Sequence, residues 1–199
     1  MEHTSRDFLE TVRVDEACGG TEQSRVGLQI FRRRLDFNVC YGHFSSIAVG
    51  FVDRVVEQLK ARPNKVEYAI FADVEPDPST NTVFKGVEKI KDFNPDTVIA
   101  IGGGSVMDAA KVIWLFNEHP DTDFFGAKQK YLDIRKRVYK IEGMSHTQLV
   151  CIPTTSGTGS EVTPYAVITD DNTHVKYPLT DYEMTPQVAI VDPRSEEHT

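Results

Sequence analysis

TVIAIGGGSVMDAAKVI, residues 97–113, decides how the chain is read. Its first five residues are mostly β-branched and, after Thr97, apolar, without the polar alternation of a half-exposed strand. Residues 97–101 therefore predict a strand buried on both faces, as in a parallel sheet. The run passes into Gly102, Gly103 and Gly104 and then into a helical pattern, in which Val106, Ala109, Ala110 and Ile113 recur at i, i+3, i+4 and i+7 and predict an inward face. Ser105 is placed to cap that helix with its hydroxyl, and Asp108, three residues on, approximates the partner of a capping box. Glycines let a ligand approach the main chain closely, while the free N–H groups and positive dipole end of the helix attract an anion. A pyrophosphate suits such a bend; a tight turn with nothing bound is the plainer reading. The bend has neither the GxGxxG fingerprint nor the GK[ST] ending of a P-loop.

Working outward, the same alternation of elements continues on both sides. Val52, Val55, Val56 and Leu59 fall at helical spacing and Pro63-Asn64 supplies a stop. Residues 66–74 read as a strand closed by Pro76-Asp77-Pro78, and 80–92 as a helix with Val83, Val87 and Ile90 on one face, closed by Asn94-Pro95. Downstream, 128–140 predicts a charged surface helix, and 148–152 a buried strand ending at Pro153. Further strands are expected at 166–169, 175–179 and 188–191. Strands alternating with helices, each needing cover, predict a doubly wound α/β fold with a mostly parallel sheet. Residues 1–50 show no sustained period. Cys18, Cys40 and Cys151 are too far apart for a CxxC pair, and Cys151 reads as a small buried hydrophobe.

A second bend follows the strand at 148–152: Pro153-Thr154-Thr155-Ser156-Gly157-Thr158-Gly159-Ser160-Glu161. Its hydroxyls can reach phosphate or ribose oxygens, or can satisfy their own loop backbone. Two such bends at the carboxyl ends of strands converge where open α/β sheets bind ligands. His119, His146 and His174 lack the spacing of a helical metal pair and read as surface or loop residues, and Asp170, Asp171 and Asp181 as solvated turn carboxylates. A formal charge of −8 argues against nucleic acid, and no apolar run is long enough to span a membrane. MEHTSRDFLE has no secretory core, so a cytoplasmic location is expected.

GGGSVMDAAK (102–111) and PTTSGTGSEVTPYAVITD (153–170), followed by HVKYPL and VAIVDP, resemble the iron-containing alcohol dehydrogenases. DVEPDPSTNTVFKG (73–86) and FFGAKQKYLDIRKRVYK (124–140) are similar in wording to the alcohol dehydrogenase half of the bifunctional acetaldehyde-CoA/alcohol dehydrogenases. The resemblance covers Val52 to Pro193. It implies the dehydroquinate synthase-like α/β domain that holds NAD, followed in the family by a helical domain that holds Fe(II). It further implies that Gly103, Gly104 and Ser105 hold the pyrophosphate, that Thr154, Thr155 and Thr158 line the dinucleotide, and that Lys176 and Asp77 also contact it. The family's metal ligands, an aspartate and three histidines, are expected downstream of Asp192, so the chain is expected to stop before them. Three spans follow: 1–50, poorly matched; 51–193, the NAD-binding domain; and 194–199, RSEEHT, which coincides with the translation of a common sequencing adapter and is expected to be a non-native tail.

The family's aspartate that reads the cofactor ribose, at the end of a strand near its N-terminus, has no match between Ile30 and Phe51. The preference between NAD and NADP is therefore open. The resemblance implies hydride transfer between NAD(H) and a small primary alcohol or aldehyde such as ethanol or acetaldehyde. Iron would polarise the substrate oxygen, no catalytic acid or base is assigned to these residues, and the full-length enzyme is expected to be a homo-oligomer. The rival readings are a dehydroquinate synthase-like lyase, against which the TTSGTGSE loop counts, and a non-catalytic dinucleotide-binding module.

Overall fold

The computed structural model describes the backbone of residues 11–13, 27–29, 36–42 and 46–49, and residues 50–64, 66–124, 135, 141–144 and 146–193 in full. The surface helix expected at 128–140, apart from Arg135, and the tail at 194–199 lie outside the described residues. In chain order the elements are β1 (Thr11–Arg13), β2 (Gly27–Gln29), β3 (Asp36–Gly42), α1 (Ser46–Lys60), β4 (Glu67–Val74), α2 (Thr80–Phe93), β5 (Thr97–Gly102) and α3 (Gly104–Glu118). They continue with β6 (Gln148–Pro153), β7 (Tyr165–Thr169), β8 (Lys176–Thr180), a 3₁₀ turn (Tyr182–Met184) and β9 (Val188–Ala189).

Five strands form one sheet in the order β4-β3-β5-β6-β9, every pairing parallel. β5 is buried at all six positions, which is why its sequence lacks alternation. Its side chains divide between the two faces. Ile99 and Ile101, with Val150 and Ile152 of β6, pack under Val52, Val56 and Leu59 of α1. Val98 and Ala100, with Leu149 and Cys151, pack under α2 and α3 on the other face. Burying a Val, Leu or Ile side chain contributes about 1.5–3 kcal/mol, so this two-sided cover holds the central strands in place. The doubly wound reading is borne out, and so is the buried Cys151.

The helix boundaries follow local chemistry. Ser79 caps α2 by accepting from the Thr82 N–H at 3.3 Å. Asn94 closes it in a left-handed conformation, φ 51°, with its N–H on the Ile90 carbonyl at 2.7 Å. α3 is buried nearly all round, from Val106 to Phe116, because it lies between the sheet, α2 and the β7–β8 ribbon. It meets α2 closely at Gly86, where a Cβ would lie 2.4 Å from Ile113 Cδ1. The Trp114 indole N–H donates to the Thr147 carbonyl at 2.9 Å.

Three expectations need correction. β3 is a central strand in the segment 1–50 that shows no period; it pairs with β4 on one side and β5 on the other. β7 and β8 pair antiparallel as a separate ribbon and not within the main sheet. The last strand covers only Val188–Ala189. No helix among the described residues is long and apolar enough to cross a membrane.

Candidate functional site

The sheet order makes β3 and β5 the point at which the chain reverses direction across the sheet: β4 follows β3 on one side, and the chain then crosses to β5 on the other. Ligands of open α/β sheets bind outside the carboxyl ends of strands at such a point. The glycine bend sits there. Gly102 has φ +155°, and a Cβ on it would lie 2.7 Å from Val106 Cγ2; only glycine fits this exit from β5. Gly103 is the N-cap of α3 and the helix begins at Gly104, with no side-chain cap. The first-turn N–H groups, which no helix bonds internally, are thus left without a side-chain oxygen over them.

The expected capping box is therefore corrected. Because the cap falls on Gly103, Ser105 is already inside the helix, and its oxygen instead accepts from the Asp77 N–H at 3.3 Å. Asp108 turns to the β7 backbone, where its Oδ2 accepts from the Val167 N–H at 2.9 Å.

The threonine bend lies directly against the glycine bend. The Thr154 N–H donates to the Gly102 carbonyl at 3.0 Å, which carries the β5–β6 pairing one residue past the end of β6. A Cβ on Gly103 would lie 3.1 Å from Thr155 Oγ1, and a Cβ on Gly104 would lie 2.9 Å from Thr158 Cγ2. Gly104 and Thr155 thus share one rim. Gly157 and Gly159, at φ +131° and +65°, let the chain double back. Thr155 is half-buried and Thr158 exposed, whereas Thr154 is buried and offers little surface. Thr158 Oγ1 also accepts from the Ser160 N–H at 3.3 Å, so part of its capacity goes to its own loop.

Asp77 and Lys176 complete the rim. Lys176 Nζ lies 2.6 Å from Asp77 Oδ1, both side chains more than half exposed, so the cation is paired with the residue whose N–H reaches Ser105. Asp77 adopts φ 56°. The segment after it is stitched to the ribbon: the Thr169 N–H donates to the Pro78 carbonyl at 2.9 Å, and Asp171 Oδ2 accepts from the Asn81 N–H at 2.7 Å and the Thr80 hydroxyl at 2.8 Å. Those bonds, the Asn81 N–H foremost, hold the Asp171 carboxyl below its usual range. Burial alone would raise Glu75, but hydrogen bonds from Thr82 and Ser79 outweigh it and leave its carboxyl below the usual range as well. The reading of three solvated carboxylates is corrected at two of them. Asp170 and Asp181 are buried, and accept from the Asn172 and Glu183 N–H groups respectively. His119 caps the carboxyl end of α3, His146 lies in a loop and His174 in a turn.

Sequence reasoning missed the roles of Asp108 and Lys111. Lys111 is fully buried, and its amine donates to the Thr163 carbonyl at 2.6 Å, the Tyr165 carbonyl at 2.8 Å and Thr163 Oγ1 at 3.3 Å. The signal was available: a lysine inside the apolar run AAKVIWLF (109–116) is a cation that must find oxygen partners. Burial pushes the Lys111 amine down, opposed by the Asp108 charge and, more weakly, by Cys151 and Glu161. Burial pushes the Asp108 carboxyl up, opposed by the Val167 N–H, by Lys111 and by Ser160. A separate cleft, walled by Asn94, Asp96, Asn117, Glu118, His146 and Thr147, opens at the amino-terminal end of β5 and β6, the end opposite the two bends.

Comparison with known proteins bears on this geometry. The family model for iron-containing alcohol dehydrogenases matches residues 25–193, a stretch that includes β3. Aldehyde-alcohol dehydrogenase 2 of Entamoeba histolytica is 62% identical over 146 residues, 73% of this chain and 17% of that protein. The NADPH-dependent butanol dehydrogenase of Clostridium saccharobutylicum is 46% identical over 143 residues, 72% of this chain and 34% of that protein. Among solved structures, the NADH-dependent butanol dehydrogenase A of Thermotoga maritima superposes with a TM-score of 0.66 at 31% identity, covering 80% of this chain and 37% of that one. The chain thus spans about a sixth of the length of the first of these relatives.

Proposed function

This chain belongs to the iron-containing alcohol dehydrogenases, and on that premise we propose that it forms the NAD-binding part of an enzyme that transfers hydride between a small primary alcohol, such as ethanol, and its aldehyde. The observation that carries this reading is the meeting of two backbone-lined bends, Gly103 against Thr155 and Gly104 against Thr158, at the carboxyl ends of adjacent parallel strands. A diphosphate is the anion that suits an uncapped helix N-terminus flanked by hydroxyls and a nearby lysine. Gly103, Gly104 and Ser105 would bind it through main-chain N–H groups, Thr155 and Thr158 through hydroxyls, and Lys176 by charge. Nicotinamide supplies the hydride chemistry when bound; the task of these residues is to hold and orient it. Residues 51–193, completed by the central strand β3, are the unit to which we assign this binding.

Among the described residues no group of three or more His, Cys, Asp or Glu side chains is arranged to hold a metal ion. The iron of the family name has no ligand set there, and the roles assigned to this chain stop at the dinucleotide. The names of the relatives include both an NADPH-dependent and an NADH-dependent enzyme, so the two cofactors are compared directly. Calorimetric titration of the chain is expected to give saturable binding with NADH. No heat at millimolar NADH and NADPH would contradict the reading, and saturation by NADPH alone would move the assignment to NADP.

A further inference from the structure

We propose that Asp108 and Lys111 are positioning residues for the dinucleotide site, holding the segment 158–167 against the helix that carries the glycine bend. The inference rests on the NAD-binding reading above and deepens it. Both side chains leave α3 within the two turns after Gly104, and both end on a single stretch of chain that begins at Thr158. Lys111 uses its three ammonium protons on Thr163 and Tyr165. Asp108 Oδ2 accepts from the Val167 N–H at 2.9 Å, and its Oδ1 is buried with no hydrogen-bond partner.

The chemistry makes these bonds hard to give up. An ammonium with no exposure to water is tolerated only where oxygens replace its hydration, and here both main-chain oxygens come from that stretch. In the β7–β8 ribbon Val167 stands opposite Pro178. Its N–H is committed to Asp108, so the carboxylate, and not the ribbon, fixes this part of the stretch on α3. Because Thr158 lies so close to Gly104 that an added Cβ would stand 2.9 Å from its Cγ2, a shift of the stretch along α3 would open the rim to which the dinucleotide is assigned. Apolar packing alone would resist such sliding weakly, since it is non-directional.

The test combines exchange and binding on the whole chain. In the wild type, the Val167 amide is expected to exchange as slowly as the interior amides of α3; exchange at the rate of an exposed loop amide would overturn the proposal, whether or not any cofactor binds. In NADH titrations, Asp108→Ala and Lys111→Met are expected to lose affinity tenfold or more while the emission of the single tryptophan, Trp114, stays native. Asp108→Asn, which keeps an acceptor for the Val167 N–H, is expected to recover to within about threefold of wild type. Folded Asp108→Ala with wild-type affinity would overturn the proposal, as would Asp108→Asn binding no better than Asp108→Ala. Should Lys111→Met not fold, the two Asp108 variants and the wild-type exchange rate still decide. A wild type that binds no dinucleotide would instead overturn the functional reading, and with it the role assigned to these two residues, while slow exchange at Val167 would still show its bond to Asp108 to be real.

Discussion

A methyl group at Gly104 should separate the two bends without unfolding the chain. The Cβ of Gly104→Ala would lie 2.9 Å from Thr158 Cγ2 and 3.3 Å from both its Cβ and its Oγ1. Rotating the threonine brings no relief, because the Cβ is close as well. Carbon contacts settle at about 3.5–4.0 Å, so the threonine bend must retreat by roughly 0.6–1 Å. A displacement of that size misaligns a hydrogen bond to a charged phosphate, worth about 1.5–3 kcal/mol. At 1.4 kcal/mol per decade, affinity for NADH should fall about tenfold to a hundredfold. Stability should change little, since alanine favours the first helical turn over glycine and the displaced loop is at the surface. The control is Gly86→Ala, whose Cβ would meet Ile113 Cδ1 at 2.4 Å and Cγ1 at 2.9 Å, inside the α2–α3 contact and away from the bends. Overpacking there should cost about 1–3 kcal/mol, less a part returned by helix propensity, with NADH affinity of the folded fraction retained. Melts followed by Trp114 fluorescence, with NADH titrations below the transition, measure both. Unchanged affinity in Gly104→Ala, or equal loss of affinity in both variants, would refute the reasoning.

Ser105→Ala removes the acceptor for the Asp77 N–H and should weaken NADH binding severalfold, with Tm nearly unchanged; a fall in Tm with intact binding would mean that the hydroxyl serves only the fold. Asp171 has its carboxyl held below the usual 3.8 by bonds to Asn81 and Thr80. It therefore stabilises fully above that value, and the contribution disappears as pH falls through the depressed folded value. The Tm difference between wild type and Asp171→Ala should be constant near neutrality and shrink below about pH 3.8; a difference that grows on acidification would reverse the assignment. Cys151 is buried with no exposure, so thiol reagents should modify it only as fast as the core opens, and rapid native-state labelling at this position would contradict the packing described.

The elements that carry the two bends were legible because their constraints are local. A β-branched, mainly apolar run entering three glycines reads as a buried strand that passes into a helix, and Asn94-Pro95 ends a helix by its own chemistry. β3 was not legible: DFNVCYG carries Asp, Asn and Gly, which strands disfavour, and it is held by pairing on both edges rather than by propensity. Strands were expected at β7 and β8, but nothing in their local sequence says which sheet they join. The cap slipped by two positions because Ser105 has the right chemistry while Gly103 has the right backbone. Lys111 reads as a break in an apolar face until the carbonyls of Thr163 and Tyr165, more than fifty residues downstream, come into view.

Amide chemical-shift mapping of the isotope-labelled chain during NADH titration tests the central claim most directly. Perturbations should concentrate at Gly103, Gly104, Ser105, Thr155 and Thr158 and saturate together. Saturable shifts at the opposite cleft of Asn94, Glu118 and His146, with Gly104 and Thr155 unmoved, would contradict it.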